Sequence, residues 1–195
     1  MEPKFTRTLL SAALALSLVG GGACGDTKDD KVATGAGAGA SSTAAPKAAG
    51  GGQPLAITGT DYEFKGVPKT AAAGTLVTFK NNSAKEVHEV VALRVKDGET
   101  RPMSDLLALP EAEAEKVAEF QGVIVAFPGE EGFAPTGPLT LSQPGRYMLI
   151  CAIPTGADPA AYKAALEAQK GPGPVEVPGG PPHLTKGMAA ELTVT

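Results

Sequence analysis

The sequence ends in Pro182-His183-Leu184-Thr185-Lys186-Gly187-Met188, followed by the alternating segment Ala190 to Val194. Alternation of apolar and polar side chains predicts a strand with one buried face. Earlier in the chain, the apolar run from Tyr147 leads into Cys151 and predicts another strand. A cysteine, a histidine and a methionine therefore lie beside predicted strands, and all three side chains can bind a soft metal ion.

The chain contains only two histidines and two cysteines. Three of these four residues, His88, Cys151 and His183, fall in order with Met188 behind them. Two imidazoles, a thiolate and a thioether are the donor set of a type 1 copper centre, with the methionine as a weak axial ligand. The sequence therefore predicts one copper ion bound by these four side chains.

Residues 54–195 are predicted to form one mainly β domain, a Greek-key β-sandwich. The evidence is a series of seven or eight short apolar segments separated by Gly, Pro and Asn. The predicted strands are Leu55 to Thr58, Asp61 to Phe64, Leu76 to Lys80, Val87 to Val95, Gln121 to Phe127, Leu139 to Ser142, Tyr147 to Ile153 and Ala190 to Val194.

Two short helical insertions interrupt this β pattern. The segment Ser104 to Phe120 is rich in helix formers, and Pro110 is expected to open its second helical stretch. In the segment Asp158 to Lys170, Asp158 is the expected N-cap and Pro159 the first helical residue. We interpret both helices as additions to the sandwich.

Two motifs resemble those of the plastocyanin-like cupredoxins, which are blue copper domains. Phe79-Lys80-Asn81-Asn82 followed by His88 resembles the family's stretch around its first copper-binding histidine. Cys151, then Pro182-His183, four residues and Met188 before a terminal strand, resembles its closing signature. The resemblance covers most of the domain. It implies a cupredoxin-like fold, single-electron transfer and copper ligation by His88, Cys151, His183 and Met188.

The chain departs from the family pattern in two places. The family leaves only a few residues between the cysteine and the second histidine, whereas 31 residues, Ala152 to Pro182, stand here. This insertion could cover the usual electron route at the histidine edge, create a docking surface for a partner, or loosen the site. The second departure is Glu89, where plastocyanins tend to carry Asn, and we expect it to remove a contact that helps to fix the copper loop.

The first 23 residues have the features of an export signal. Lys4 and Arg7 supply positive charge, and Leu9 to Val19 is an apolar stretch shorter than the roughly 20 residues that a helical membrane span needs. We interpret residues 1–23 as a signal peptide. The domain is therefore expected to be exported and to face the extracellular or periplasmic side.

Cys24 follows Gly22-Ala23 and resembles the lipidated cysteine of bacterial lipoproteins, so it is the predicted membrane anchor. Gly21 stands where that motif usually has an aliphatic residue, and the small residues before Cys24 would also suit an ordinary signal peptidase. Residues 24–53 are rich in Gly, Ala, Ser, Thr and Pro, and predict a flexible linker. A disulfide between Cys24 and Cys151 is disfavoured because this linker separates them and Cys151 is better used as a ligand.

The remaining composition excludes several functions. A net charge of −4 without a basic cluster disfavours nucleic acid as a partner, and two histidines are too few for a multicopper oxidase or for an additional catalytic triad. We therefore expect no enzyme. Three hypotheses remain: electron transfer to a redox partner protein in the cell envelope, copper storage or delivery, and a metal-free module that binds another envelope protein.

Overall fold

The computed structural model describes residues 53–169 and 173–195. The predicted signal peptide, Cys24 and all of the predicted linker except Gln53 lie outside the described residues. Among the described helices, none has the length and apolar character needed to span a membrane.

Nine strands and three α-helices make up the described part of the chain. The strands are β1 (Leu55–Thr60), β2 (Glu63–Lys65), β3 (Thr70–Ala71), β4 (Thr75–Asn81), β5 (His88–Val95), β6 (Ala118–Ala126), β7 (Thr140–Leu141), β8 (Gly145–Ile150) and β9 (Ala189–Val194). The helices are α1 (Met103–Leu107), α2 (Glu111–Val117) and α3 (Pro159–Ala168), and a 3-10 turn spans His183–Lys186.

The strands form two sheets. One sheet has the order β2-β1-β4-β7 and the other has the order β3-β9-β8-β5-β6. The pairs β1–β4 and β3–β9 are parallel and the other pairs are antiparallel. The prediction of a mainly β sandwich with helical insertions is confirmed.

The main hydrophobic core is built from alternate residues of both sheets. Ile57 and Phe79 come from one sheet, and Val90, Leu149 and Leu192 come from the other, and all five are nearly inaccessible to solvent. Full burial of such a side chain stabilises the fold by about 1.5–3 kcal/mol. This packing gives the ends of β4, β5, β8 and β9 fixed positions, and the predicted ligands lie at these ends.

The helical insertions differ slightly from their predicted bounds. Pro110 precedes α2 as expected, but the helix ends at Val117 and the chain is extended at Ala118. The prediction that the helix reaches Phe120 was wrong because Ala118 to Phe120 pair with the end of β5 instead. Helix α3 begins at Pro159, and the Asp158 carboxylate accepts a hydrogen bond of 2.8 Å from the Ala161 N–H, as a cap should.

Candidate metal centre

His88 opens β5, and a buried asparagine fixes the loop that precedes it. The side chain of Asn81 donates to the carbonyl oxygens of Glu86 at 2.8 Å and Ala126 at 3.0 Å. Its side-chain oxygen accepts from the Ser83 N–H at 2.8 Å. The bonds to Glu86 and Ser83 hold the turn between β4 and β5, and the bond to Ala126 ties the end of β4 to β6. His88 therefore has a defined position at the start of β5.

Cys151 lies directly after β8 and is fully buried. Its backbone N–H donates to the Met188 carbonyl at 3.1 Å, which joins the end of β8 to the start of β9. Its Sγ atom accepts a hydrogen bond of 3.4 Å from the Glu89 N–H. Such a bond stabilises the thiolate form that binds metals.

The 3-10 turn positions His183 and Met188. The N–H of His183 donates to the Ile153 carbonyl at 3.0 Å, and the N–H of Met188 donates to the His183 carbonyl at 3.2 Å. Gly187 follows the turn with φ at 101°, a left-handed conformation that favours glycine. The turn thus brings the side chains of His183 and Met188 close to Cys151.

The long insertion is closed at its base by backbone contacts. Thr155 N–H donates to the Pro181 carbonyl at 3.1 Å, and Gly180 N–H donates to the Thr155 carbonyl at 2.8 Å. Gly179 permits this approach, since a Cβ atom there would lie 2.5 Å from Cβ of Pro154. The insertion therefore leaves Cys151 and His183 as near neighbours, and the possibility that it loosens the site is not supported.

Three predicted ligands form a compact triangle. The Nδ1 atoms of His88 and His183 are 3.1 Å apart, and Sγ of Cys151 lies 3.3 Å from Nδ1 of His183 and 4.0 Å from Nδ1 of His88. A point in their plane about 2 Å from each atom is equidistant from all three, close to the roughly 2.0–2.3 Å of metal bonds to imidazole and thiolate. The donor set and its spacing fit one metal ion.

Met188 lies in the same buried cluster as Cys151 and has no exposed surface. The other buried members of this cluster are apolar or aromatic: Val87, Val125, Ile153, Ala157, Val175 and, from α3, Tyr162. The surroundings of the thiolate are therefore apolar and dry. A thioether in such surroundings is the usual weak axial ligand of a type 1 copper ion.

Burial keeps both histidines neutral in the metal-free protein. Loss of water, and then the charge of His183, lowers the pKa of His88 to about 4. Burial also lowers the pKa of His183, although the Glu86 carboxylate opposes this. A neutral imidazole is the form that binds a metal ion, so the two rings do not need to lose a proton near neutral pH.

The outer edges of the two imidazoles face carboxylates that the sequence analysis did not identify. Nε2 of His183 lies 3.3 Å from Oε2 of Glu86, and Nε2 of His88 lies 4.0 Å from Oδ1 of Asp61. Neither contact is aligned as a hydrogen bond. The Tyr62 ring packs edge-on against His183, with centroids 5.0 Å apart. Glu86 lies in the loop before β5 and its carboxylate contacts the histidine that is distant in sequence, so no local sequence signal pointed to this contact.

Glu89 supports the copper loop, contrary to the expectation from the sequence. Its Oε1 atom accepts a hydrogen bond of 3.1 Å from the Ala152 N–H. The carboxylate therefore ties β5 to the residue after Cys151. The expectation that Glu89 removes a contact was wrong because a carboxylate oxygen can accept the same kind of backbone hydrogen bond as an amide oxygen.

The sandwich and its buried triangle of two histidines and one cysteine define the class of site: this is a cupredoxin-like fold with a type 1 copper donor set. No family profile and no curated protein matches the sequence.

Solved structures of auracyanins resemble the chain. Reduced auracyanin from Roseiflexus castenholzii is 21% identical, with a TM-score of 0.41 over 75% of this chain and 99% of that one. Auracyanin B is 18% identical, with a TM-score of 0.37 over 78% and 93%. Auracyanin A, a "blue" copper protein from Chloroflexus aurantiacus, is 20% identical, with a TM-score of 0.38 over 73% and 100%.

Proposed function

We propose that this protein is a type 1 copper protein that carries single electrons. The observation that supports the proposal best is the buried triangle of His88, Cys151 and His183, whose spacing fits one ion. A bound copper ion would supply the one-electron chemistry by alternating between Cu(I) and Cu(II). Met188 would supply the fourth donor.

The protein's own residues would keep the donors still during electron transfer. Cys151 and His183 are joined to the ends of β8 and β9 by backbone hydrogen bonds, and Asn81 fixes the approach to His88. Rigid donors reduce the movement that accompanies a change of oxidation state, and a dry apolar surround limits the reorganisation of water.

A copper store or delivery protein would use similar ligands but needs a way to release the ion. All three donors of the triangle are fully buried, and Met188 is buried too. Burial slows ligand exchange with a receiving protein and leaves electron transfer as the better use of the site. The protein would then act as a carrier rather than as an enzyme, with a redox protein of the cell envelope as its partner.

We also propose that the protein is exported and anchored through a lipid on Cys24, on the basis of the sequence features of residues 1–24. The linker of residues 24–53 would let the copper domain reach partners away from the membrane surface. Expression in a bacterium with lipoprotein processing, followed by mass spectrometry of the mature N-terminus, tests this. A free N-terminus elsewhere, or retention of residues 1–23, would contradict it.

Reversible reduction tests the electron-transfer proposal. We expect the copper-loaded protein to give a one-electron potentiometric curve, and mixtures of oxidised and reduced protein to show fast self-exchange by NMR line broadening. Tight Cu(I) binding with no reversible reduction would favour storage. A protein that binds no copper, while Cys151→Ser leaves folding and partner binding intact, would favour the metal-free interaction module.

A further inference from the structure

Glu86 lies at the meeting point of three separate parts of the chain. Its Oε2 atom is 3.3 Å from Nε2 of His183 and accepts a hydrogen bond of 3.0 Å from the Gly156 N–H in the insertion. Its Oε1 atom accepts a hydrogen bond of 3.3 Å from the Tyr62 hydroxyl. Only 16% of its side chain is exposed, so this carboxylate is held in place rather than solvated.

The tautomer of a ligating histidine explains what this carboxylate does. A metal ion bound at Nδ1 of His183 forces the ring proton onto Nε2. That atom is buried and has no aligned hydrogen-bond partner, and Glu86 provides a carboxylate oxygen 3.3 Å away. A buried N–H without an acceptor is costly, and the Glu86 carboxylate stands within hydrogen-bonding distance of this nitrogen.

We propose that Glu86 is a positioning residue for His183, which it orients through Nε2 while placing a fixed negative charge beside the copper site. This inference rests on the proposed function. The insertion contributes the Gly156 N–H, and one of its roles is therefore to hold the Glu86 carboxylate against His183.

Tyr62 supports the same arrangement. It has a positive φ of 65°, a backbone conformation that is unfavourable for a residue with a large side chain. Its hydroxyl donates to Glu86, its ring packs against His183, and the Lys186 ammonium lies 4.6 Å from the ring centroid. Backbone strain persists where surrounding contacts impose it, and the contacts that Tyr62 makes here are with Glu86 and His183.

The other histidine lacks an equivalent support. Asp61 lies 4.0 Å from Nε2 of His88, but 66% of its side chain is exposed. Its charge is screened by water, and its side chain has more freedom than that of Glu86. Removal of the Glu86 charge is therefore expected to shift the reduction potential more than removal of the Asp61 charge.

The test compares Glu86→Gln with Asp61→Asn and a matched control, Glu99→Gln. Glu99 follows the far end of β5 from His88, and its side chain is 13% exposed and paired with Arg101. A fixed negative charge favours Cu(II) over Cu(I). We expect Glu86→Gln to raise the reduction potential by about 59 mV, which is a tenfold change in relative affinity for one electron. Asp61→Asn should shift it less, and Glu99→Gln should leave it unchanged.

A second measurement uses the wild-type protein and does not depend on how the variants fold. In the diamagnetic Cu(I) form, nitrogen-15 NMR should show His183 with Nδ1 bound to the metal and an Nε2–H that exchanges slowly with water. Ligation through Nε2, or an Nε2–H that exchanges as fast as an exposed imidazole, would overturn the proposal. Equal potentials for Glu86→Gln and Glu99→Gln would do so as well.

The two proposals can fail separately. A wild-type protein that forms no thiolate complex with copper contradicts the proposed function and this inference together. A wild-type protein that forms the complex, with a potential insensitive to Glu86→Gln, contradicts only the positioning role of Glu86.

Discussion

The Nδ1 atoms of His88 and His183 lie 3.1 Å apart although the two histidines are 95 positions apart in the chain. Both rings are fully buried, and two positive charges at this distance in a dry site are strongly unfavourable. The metal-free protein must therefore keep this pair from becoming doubly protonated. Its stability should depend on pH for that reason.

For the metal-free protein, we expect the free energy of unfolding to fall as the pH is lowered from about 6.5 to about 4. Burial and the charge of His183 lower the pKa of His88 from 6.5 to about 4 in the folded state. The unfolded chain therefore binds more protons in this window, and stability that is present above pH 6.5 is lost towards pH 4. The loss from His88 is on the order of 3 kcal/mol, and His183 adds to it in the same direction.

Denaturant titrations at several pH values measure this dependence. A His88→Gln variant serves as the control, since it should show a clearly flatter dependence between pH 4 and pH 6.5. If the free energy of unfolding falls equally steeply with pH in wild type and variant, protonation of His88 is not the cause of the pH dependence.

Asn81→Ala should destabilise the domain by about 2–4 kcal/mol because it removes two buried hydrogen bonds and a third that is partly buried. The loop before His88 would also become less ordered, so copper affinity should fall. Asn82→Ala is a matched control, since Asn82 is the exposed neighbour. Chemical denaturation of both variants checks the prediction, and equal stability of the two would refute it.

Gly59→Ala should also destabilise the domain, by about 1–3 kcal/mol. A Cβ atom at Gly59 would lie 2.7 Å from Cζ of Phe79 and 3.3 Å from Cε of Met188. The Phe79 ring must move, and the Met188 methyl group is itself in tight contact with the added Cβ atom. Thermal unfolding measures the loss, with exposed Ala56→Ser on the same strand expected to change stability by less than about 0.5 kcal/mol.

Met188→Leu should keep the fold and the thiolate–copper complex but raise the reduction potential by roughly 60 mV. This shift corresponds to a tenfold change in the affinity of the site for Cu(I) relative to Cu(II). The two side chains have similar volumes, but leucine cannot donate an electron pair to Cu(II), the more electron-poor form. Met148→Leu is the control, because Met148 is buried in a different cluster. A potential that is equally unchanged in both variants would remove Met188 from the proposed ligand set.

The fold and the candidate ligands were predictable from the sequence for one physical reason. Strands alternate with turn residues throughout the domain, and its two histidines and single cysteine lie near the ends of those strands. His88, Cys151 and His183 were therefore identifiable from order and residue type alone. Their convergence depends on the sheet order, which places β8 between β5 and β9.

The supporting contacts could not be predicted in the same way. Glu86 lies in a loop beside Lys85, where a carboxylate is usually solvated, and only the tertiary fold brings it to Gly156 and Tyr62. The closed base of the insertion depends on the approach of Gly179 to Pro154, which are 25 residues apart in sequence. Local patterns contain no information about such distant contacts.

The most direct test of the central claim is to add one equivalent of Cu(II) to the purified protein and to a Cys151→Ser variant, and to record visible absorption and electron paramagnetic resonance spectra. We predict an intense blue band and narrow copper hyperfine splitting in the wild type, both lost in Cys151→Ser. A colourless wild-type protein, or a copper spectrum that is the same in both proteins, would contradict a thiolate-bound type 1 copper site.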